Sequence, residues 1–139
     1  MLWEEAIGEA AMVANALSPE QKRGFRDALG QFATGITVVT TVDPGSGPVG
    51  ITANSFNSVS IDPPMVLWSV AKASRKRESF ERADYFAVNV LAEHQEALSR
   101  AFARGGPSPF DGLDWQSGLA GMPLIADCSA RFECRKVYQ

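Results

Sequence analysis

The 139-residue sequence holds a single histidine, His94, two cysteines, Cys128 and Cys134, and no apolar run of membrane-spanning length. Each scarcity removes a class of function. With one histidine and no Cys-x-x-Cys, His-Glu-x-x-His or Gly-x-Ser-x-Gly pattern, no metal centre or hydrolytic triad is expected. Walker and Rossmann glycine patterns are absent too. The 13 Lys and Arg against 16 Asp and Glu give a net charge of −3, a poor match to a phosphate backbone, so no nucleic acid is expected as partner. Residues 1–17 carry Glu4, Glu5 and Glu9 where a secretory signal needs positive charge, so the expectation is a cytoplasmic protein that binds no membrane. The two cysteines lie six apart in an alternating segment, which predicts one strand face and a separation of about 20 Å, beyond disulfide reach. They read as small buried hydrophobes.

What is present is an ordinary globular composition, 45% hydrophobic and 21% charged, on a chain long enough to bury about two thirds of its surface. Leu2, Trp3, Ala6, Ile7, Ala10, Val13, Ala14 and Leu17 recur at helical spacing, predicting an N-terminal helical extension over residues 1–17 before a domain at 18–139. Ser18, Pro19 and Gln21 form a capping box for a second helix, with Phe25, Ala28, Leu29 and Phe32 on one face and Gly30 as its stop.

A β-branched run at 36–42 followed by Asp43, Pro44, Gly45, Ser46, Gly47 and Pro48 predicts a hairpin. Its second strand is expected to start at Val49 and run on through residues 52–60, where hydroxyl and amide side chains are far denser than a core strand tolerates without partners. Asp62, Pro63 and Pro64 break the chain before a buried strand at 65–70. Ser74 is a candidate cap for a short basic helix holding Arg75, Lys76, Arg77 and Arg82. A strand at 85–91, a helix at 93–103 with Ala97, Leu98, Ala101 and Phe102 as its stripe, a long mobile Gly/Pro loop at 104–112 and an alternating strand at 126–135 complete the reading. His94, where strand gives way to helix, reads as a solvated capping residue.

If the Pro-Pro break turns the chain back, residues 52–60 face 69–76 across adjacent strands. A phosphorylated planar cofactor needs hydroxyls, backbone N–H groups and a cation or two for its phosphate, and backbone donors along its ring edge. Ser55, Ser74 and Arg75 or Lys76 are candidates for the first set. The plainer alternative is a polar corner beside a solvated basic helix face.

An ordered series of motifs resembles the flavin reductase family: Gln-Phe-Ala-Thr-Gly-Ile-Thr-Val-Val-Thr-Thr at 31–41, Gly-Ile-Thr-Ala-Asn-Ser-Phe at 50–56, Ser-Val-Ser at 58–60, Asp-Pro-Pro at 62–64 and Phe-Ala-Val-Asn-Val-Leu at 86–91. The likeness is to the small reductase components of two-component flavin monooxygenases, and it runs from about Glu20 to the end. It implies a mainly β, antiparallel Greek-key split barrel with short flanking helices, a homodimer, and FMN or FAD near the subunit interface. It also implies hydride transfer from C4 of NADH or NADPH to flavin N5, and an oxygenase component that receives the reduced flavin.

By matching motif positions, Gly50, Thr52, Ala53, Asn54 and Ser55 would meet the isoalloxazine and ribityl chain. Ser69, Val70, Ala71 and Lys72 would border it, and Ser74 with Arg75 or Lys76 would hold the phosphate. Phe102 and Arg104 match the helix end that approaches the flavin, although for Phe102 the helix stripe itself argues core packing. The segment through Phe110 matches the nicotinamide side. The family pattern continues past the point matching Lys136 with Gly-Asp-His and further strands, so the resemblance implies that these strands are missing here and leaves activity in question. A barrel that binds flavin or haem without reducing anything is the alternative.

Overall fold

The structure, a computed structural model, describes residues 18–104 and 108–137. The helix expected over 1–17 lies outside the described residues. Two compact units divide at Thr34 and Gly35. In the first, α1 (Pro19–Gly30) starts with the expected capping box: Ser18 Oγ accepts from Gln21 N–H at 3.3 Å while Gln21 Oε1 accepts from Ser18 N–H at 2.9 Å.

The second unit is mainly β and antiparallel. Its strands are β1 (Thr37–Asp43), β2 (Gly47–Ala53), β3 (Asn57–Ile61), β4 (Pro64–Leu67), β5 (Tyr85–Val90), β6 (Trp115–Ser117), β7 (Pro123–Ile125) and β8 (Ala130–Arg135). Two short helices, α2 (Arg77–Arg82) and α3 (Glu96–Ala103), lie between them, α3 preceded by a 3-10 turn at Glu93–Gln95 that carries the exposed His94. One four-stranded sheet has the order β2-β1-β5-β8, and β3-β4 and β6-β7 are separate hairpins. Among the described residues no helix is long and apolar enough to cross a membrane, and no cluster of His, Cys, Asp or Glu could hold a metal ion.

Because β1 is central and covered on both faces, its side chains alternate between two cores. Val38 packs with Phe102, Phe110 and Ile125, and Val39 with Ala53, Phe80 and Val88. Three buried threonines share this strand without an orphaned hydroxyl. Thr37, Thr40 and Thr41 Oγ1 donate to the carbonyls of Ala53, Pro123 and Tyr85 at 2.7, 2.6 and 2.8 Å. Asn89, fully buried in β5, knits three strands: its Nδ2 donates to Val38 O at 3.0 Å and Thr40 Oγ1 at 3.2 Å, and its Oδ1 accepts from Ile125 N–H at 2.9 Å.

Several expected elements are redrawn. The strand expected from Val49 through residue 60 breaks after Ala53. β2 belongs to the main sheet while β3 pairs with β4 (Asn57 opposite Leu67, Ser58 opposite Val66), so Asn54, Ser55 and Phe56 are the crossing between sheets. β4 ends at Leu67 rather than residue 70. Ser74 does not cap the basic helix. α2 begins at Arg77 with Lys76 at its cap position, and Ser74 Oγ instead accepts from Lys76 N–H at 3.3 Å in the preceding turn.

The last strand starts at Ala130, because Asp127 adopts φ 59° and Ser129 N–H turns onto Val90 O. Cys128 therefore sits before β8 and shares no strand face with Cys134. Both are free, half-buried thiols, pushed up in pKa mainly by burial. β6 and β7 had no counterpart among the expected elements, yet Met122, Pro123 and Ile125 are among the most buried residues. In the Gly/Pro loop, Phe110 is buried against Phe102 rather than displayed.

Candidate functional site

Even-numbered residues of β2 face α3, odd-numbered ones the opposite core, since Gly50 and Thr52 lie opposite Thr40 and Val38. Gly50 is buried because the Phe102 ring rests on it. A methyl there would stand 2.5 Å from Phe102 Cε1 and 3.2 Å from Phe110 Cζ. Thr52 Oγ1 donates to Ser99 O in α3 at 2.6 Å, and Ala53 packs into the core with Phe80. The absence of a side chain at Gly50 and the side chains of Thr52 and Ala53 thus serve packing. The crossing at 54–56 follows directly.

That crossing carries unused donors. Among the described residues the N–H groups of Asn54, Ser55 and Phe56 meet no backbone carbonyl, nor do those of Val70, Ala71 and Lys72 on the facing segment. The two segments are stitched by Ser55, whose hydroxyl accepts from Ser69 N–H at 2.9 Å and donates to Ser69 O at 3.2 Å. Of the expected facing of 52–60 and 69–76 on adjacent strands, only this contact outside the strands is found: Asn57 and Ser58 pair with Leu67 and Val66, and Thr52 and Ala53 belong to the main sheet. The Ser55 hydroxyl, proposed from sequence for a phosphate, is instead engaged in this joint.

Beyond Ser69 the chain makes two consecutive turns, Ser74 N–H to Ala71 O at 2.8 Å and Arg77 N–H to Ser74 O at 3.1 Å. They display Lys72 and Arg75, which are exposed and enter none of the ion pairs among the described residues. Arg104, just past α3, is likewise exposed and enters no ion pair among the described residues. Lys76 differs: its Nζ donates to Gly50 O at 2.7 Å and Phe102 O at 3.2 Å. Its pKa is lowered, first by burial and then by neighbouring Arg75.

So the structure gathers Gly50, Thr52, Lys76 and Phe102 at one junction, sets Asn54 and Ser55 against the segment Ser69, Val70 and Ala71, and leaves Ser74 in the turn that follows. Sequence reasoning passed over Ser99, which anchors Thr52, and the free N–H of Phe56. The first has no local signature, and the second is a backbone group of an apolar residue inside the polar run at 52–60, where only side chains drew attention. Next to the crossing, sharing Val70, is a cavity of about 450 Å³ whose walls include Met65, Trp68, Phe80 and Phe86. It is apolar and holds no other residue of the expected set.

Hydroxyls, amides and paired rows of free N–H groups, with cations at one end and no metal-binding cluster among the described residues, suit a polar ring edge and an anionic tail. Comparison with known proteins points the same way. The sequence pattern of the family described as flavin reductase like domain matches residues 29–138. The chain is 52% identical over 117 residues to the FMN reductase (NADH) SmoA of Agrobacterium fabrum, covering 84% of this chain and 66% of that protein. It is 41% identical over 130 residues to the flavin-dependent monooxygenase reductase subunit HsaB of Rhodococcus jostii, covering 94% and 65%.

Among solved structures, the NADH:FAD oxidoreductase SgcE6 of Streptomyces globisporus, in complex with NAD and FAD fragments, superposes with a TM-score of 0.77 at 41% identity, over 88% of this chain and 75% of that one. The chain spans less than two thirds of the length of the first curated relatives it matches, 66%, 39% and 65%. With the family pattern covering most of its length and its strands arranged as in these structures, the chain belongs to the flavin reductase like domain family.

Proposed function

We propose that this chain provides the flavin site of an NAD(P)H-dependent flavin reductase that supplies reduced FMN or FAD to an oxygenase component. The observation that carries the reading is the pair of facing segments, Asn54–Phe56 and Val70–Lys72, whose N–H groups meet no backbone carbonyl and are joined by the Ser55 bridge. A flavin presents carbonyl and ring-nitrogen acceptors along one edge, and such donors match it. A flavin held there would supply the redox chemistry, the capacity to take up a hydride from a reduced nicotinamide.

The residues of the chain bind and orient. Asn54 and Ser55 border the ring and ribityl chain, with Ser69, Val70 and Ala71 opposite. Ser74, Arg75 and Lys72 hold the phosphate, where exposed cations let a product leave as readily as it enters. Gly50, Thr52, Ala53 and Phe102 shape the wall behind, and Arg104 stands at its rim. No side chain is needed as acid or base, since the transfer depends on position. An oxygenase partner belongs to the same reading, supported by relatives named as reductase subunits or components of flavin-dependent monooxygenases; a homodimer and a cytoplasmic location complete the proposal.

The test is a fluorescence titration with FMN followed by NADH oxidation with FMN in excess. Binding and turnover are expected. Folded protein that leaves flavin fluorescence unchanged refutes the reading, and tight flavin retention with no NADH consumed would establish the non-catalytic binder instead.

A further inference from the structure

Lys76 lies one residue from Arg75, yet its side chain runs away from the exposed turn and back across the sheet. Its ammonium bridges Gly50 O in β2 and Phe102 O at the end of α3, at 2.7 and 3.2 Å. A helix leaves its last carbonyls without intrahelical partners, and a cation placed there also gains from the helix dipole. Phe102 O is one of those carbonyls. Ser99 O, one turn earlier, receives the Thr52 hydroxyl at 2.6 Å, and the Phe102 ring covers Gly50 with no room for a methyl between them. Three contacts therefore fasten the last turn of α3 to β2, and one comes from the turn that displays the candidate phosphate cations.

We propose that Lys76 is a positioning residue that does not hold the phosphate but clamps the last turn of α3 against β2, fixing the wall beside which the flavin ring lies. The compact ammonium, with three rotatable donors on a flexible stem, suits two carbonyls on different elements in a way a planar guanidinium does not. Burial, which lowers its pKa, fits a group withdrawn from the solvent that a phosphate would share. The inference rests on the flavin reading above, and the two fail separately in the test below.

Lys76→Met keeps the stem and removes the donors. In the whole chain without flavin, amide exchange at Phe102, Ala103 and Arg104 is expected to accelerate about tenfold, as loss of a charged hydrogen bond of about 1.5 kcal/mol would give. The variant is then titrated with FMN and with riboflavin, which lacks the phosphate. Both affinities are expected to fall by a similar factor, about fivefold or more. A loss confined to FMN makes Lys76 a phosphate ligand and overturns the proposal, as do unchanged exchange and unchanged affinities.

Should the variant not fold, wild-type protein decides. If the phosphate draws the ammonium away, FMN but not riboflavin will speed exchange at residues 102–104, and the clamp is wrong. It stands if FMN brings no such acceleration. Wild-type protein that binds neither compound refutes the flavin reading and the ring-wall role with it, while the exchange measurement still reports on the clamp itself.

Discussion

Replacing Gly50 by alanine perturbs the junction of β2, α3 and Phe110 with a single methyl. That methyl would stand 2.5 and 2.7 Å from Cε1 and Cδ1 of Phe102 and 3.2 Å from Cζ of Phe110, whereas ordinary contact begins at 3.4 Å. The Phe102 ring must retreat by roughly 1 Å, the difference needed to restore normal packing. Its neighbours on that side are rings. Phe102 is 1% exposed, meets Phe110 edge-on with centroids 5.0 Å apart, and Phe110 meets Trp115 at 5.9 Å. Overpacking of a tight core costs about 1–3 kcal/mol, and a rigid aromatic row with its backbone clamped by Lys76 places this case near 2.

Urea unfolding followed by tryptophan fluorescence reads the loss as a lower midpoint at unchanged slope. The double variant Gly50→Ala, Phe102→Leu should recover part of it, since the two positions are in direct contact. A loss below about 0.5 kcal/mol, the level of an ordinary surface change, would refute the packing described for this junction.

Other outcomes follow from the same contacts. Asn89→Leu leaves Ile125 N–H without its acceptor inside the core, for an expected loss of about 2–4 kcal/mol in thermal or urea unfolding, and a loss under about 1 would contradict the three-strand role. Asp43, bonded by Arg82 and by the N–H groups of Gly45 and Ser46, has its pKa held well below the usual carboxylate range, chiefly by Arg82. A carboxyl depressed in the folded state stabilises above its unfolded pKa of about 4 and loses that contribution as pH falls toward its folded value. Asp43→Asn should therefore be less stable than wild type at neutral pH and approach it in strong acid, and a gap independent of pH would contradict this. Ser55→Ala breaks both bonds to Ser69 and should weaken FMN and riboflavin alike, about fivefold. A loss seen with FMN alone would return its hydroxyl to the phosphate.

Local rules were legible wherever a short stretch carries its own instructions. The capping box at Ser18, the β-branched run of β1, the turn formers at residues 43–48 and the stripe through Phe102 each act over a few residues, so each could be read in order. The motif series identified the family for the same reason, being a set of local patterns in sequence. Where one element ends and another sheet begins was not legible. The break after Ala53 depends on β3 finding β4, and the late start of β8 depends on Ser129 turning onto Val90, both contacts between distant parts of the chain.

The site divides along the same line. Composition alone placed hydroxyls and amides at residues 52–60 and cations at 72–76, and spacing predicted them opposite each other if the chain reversed at the prolines. Which atoms remain available was decided by tertiary structure. Thr52, Ser55 and Lys76 look equally suited to a ligand in the sequence, yet each already serves a backbone group, at Ser99, Ser69 and Gly50 with Phe102. A polar side chain offers its hydrogen bonds to whatever acceptor the fold brings nearest, and no acceptor tens of residues away is written into its neighbours.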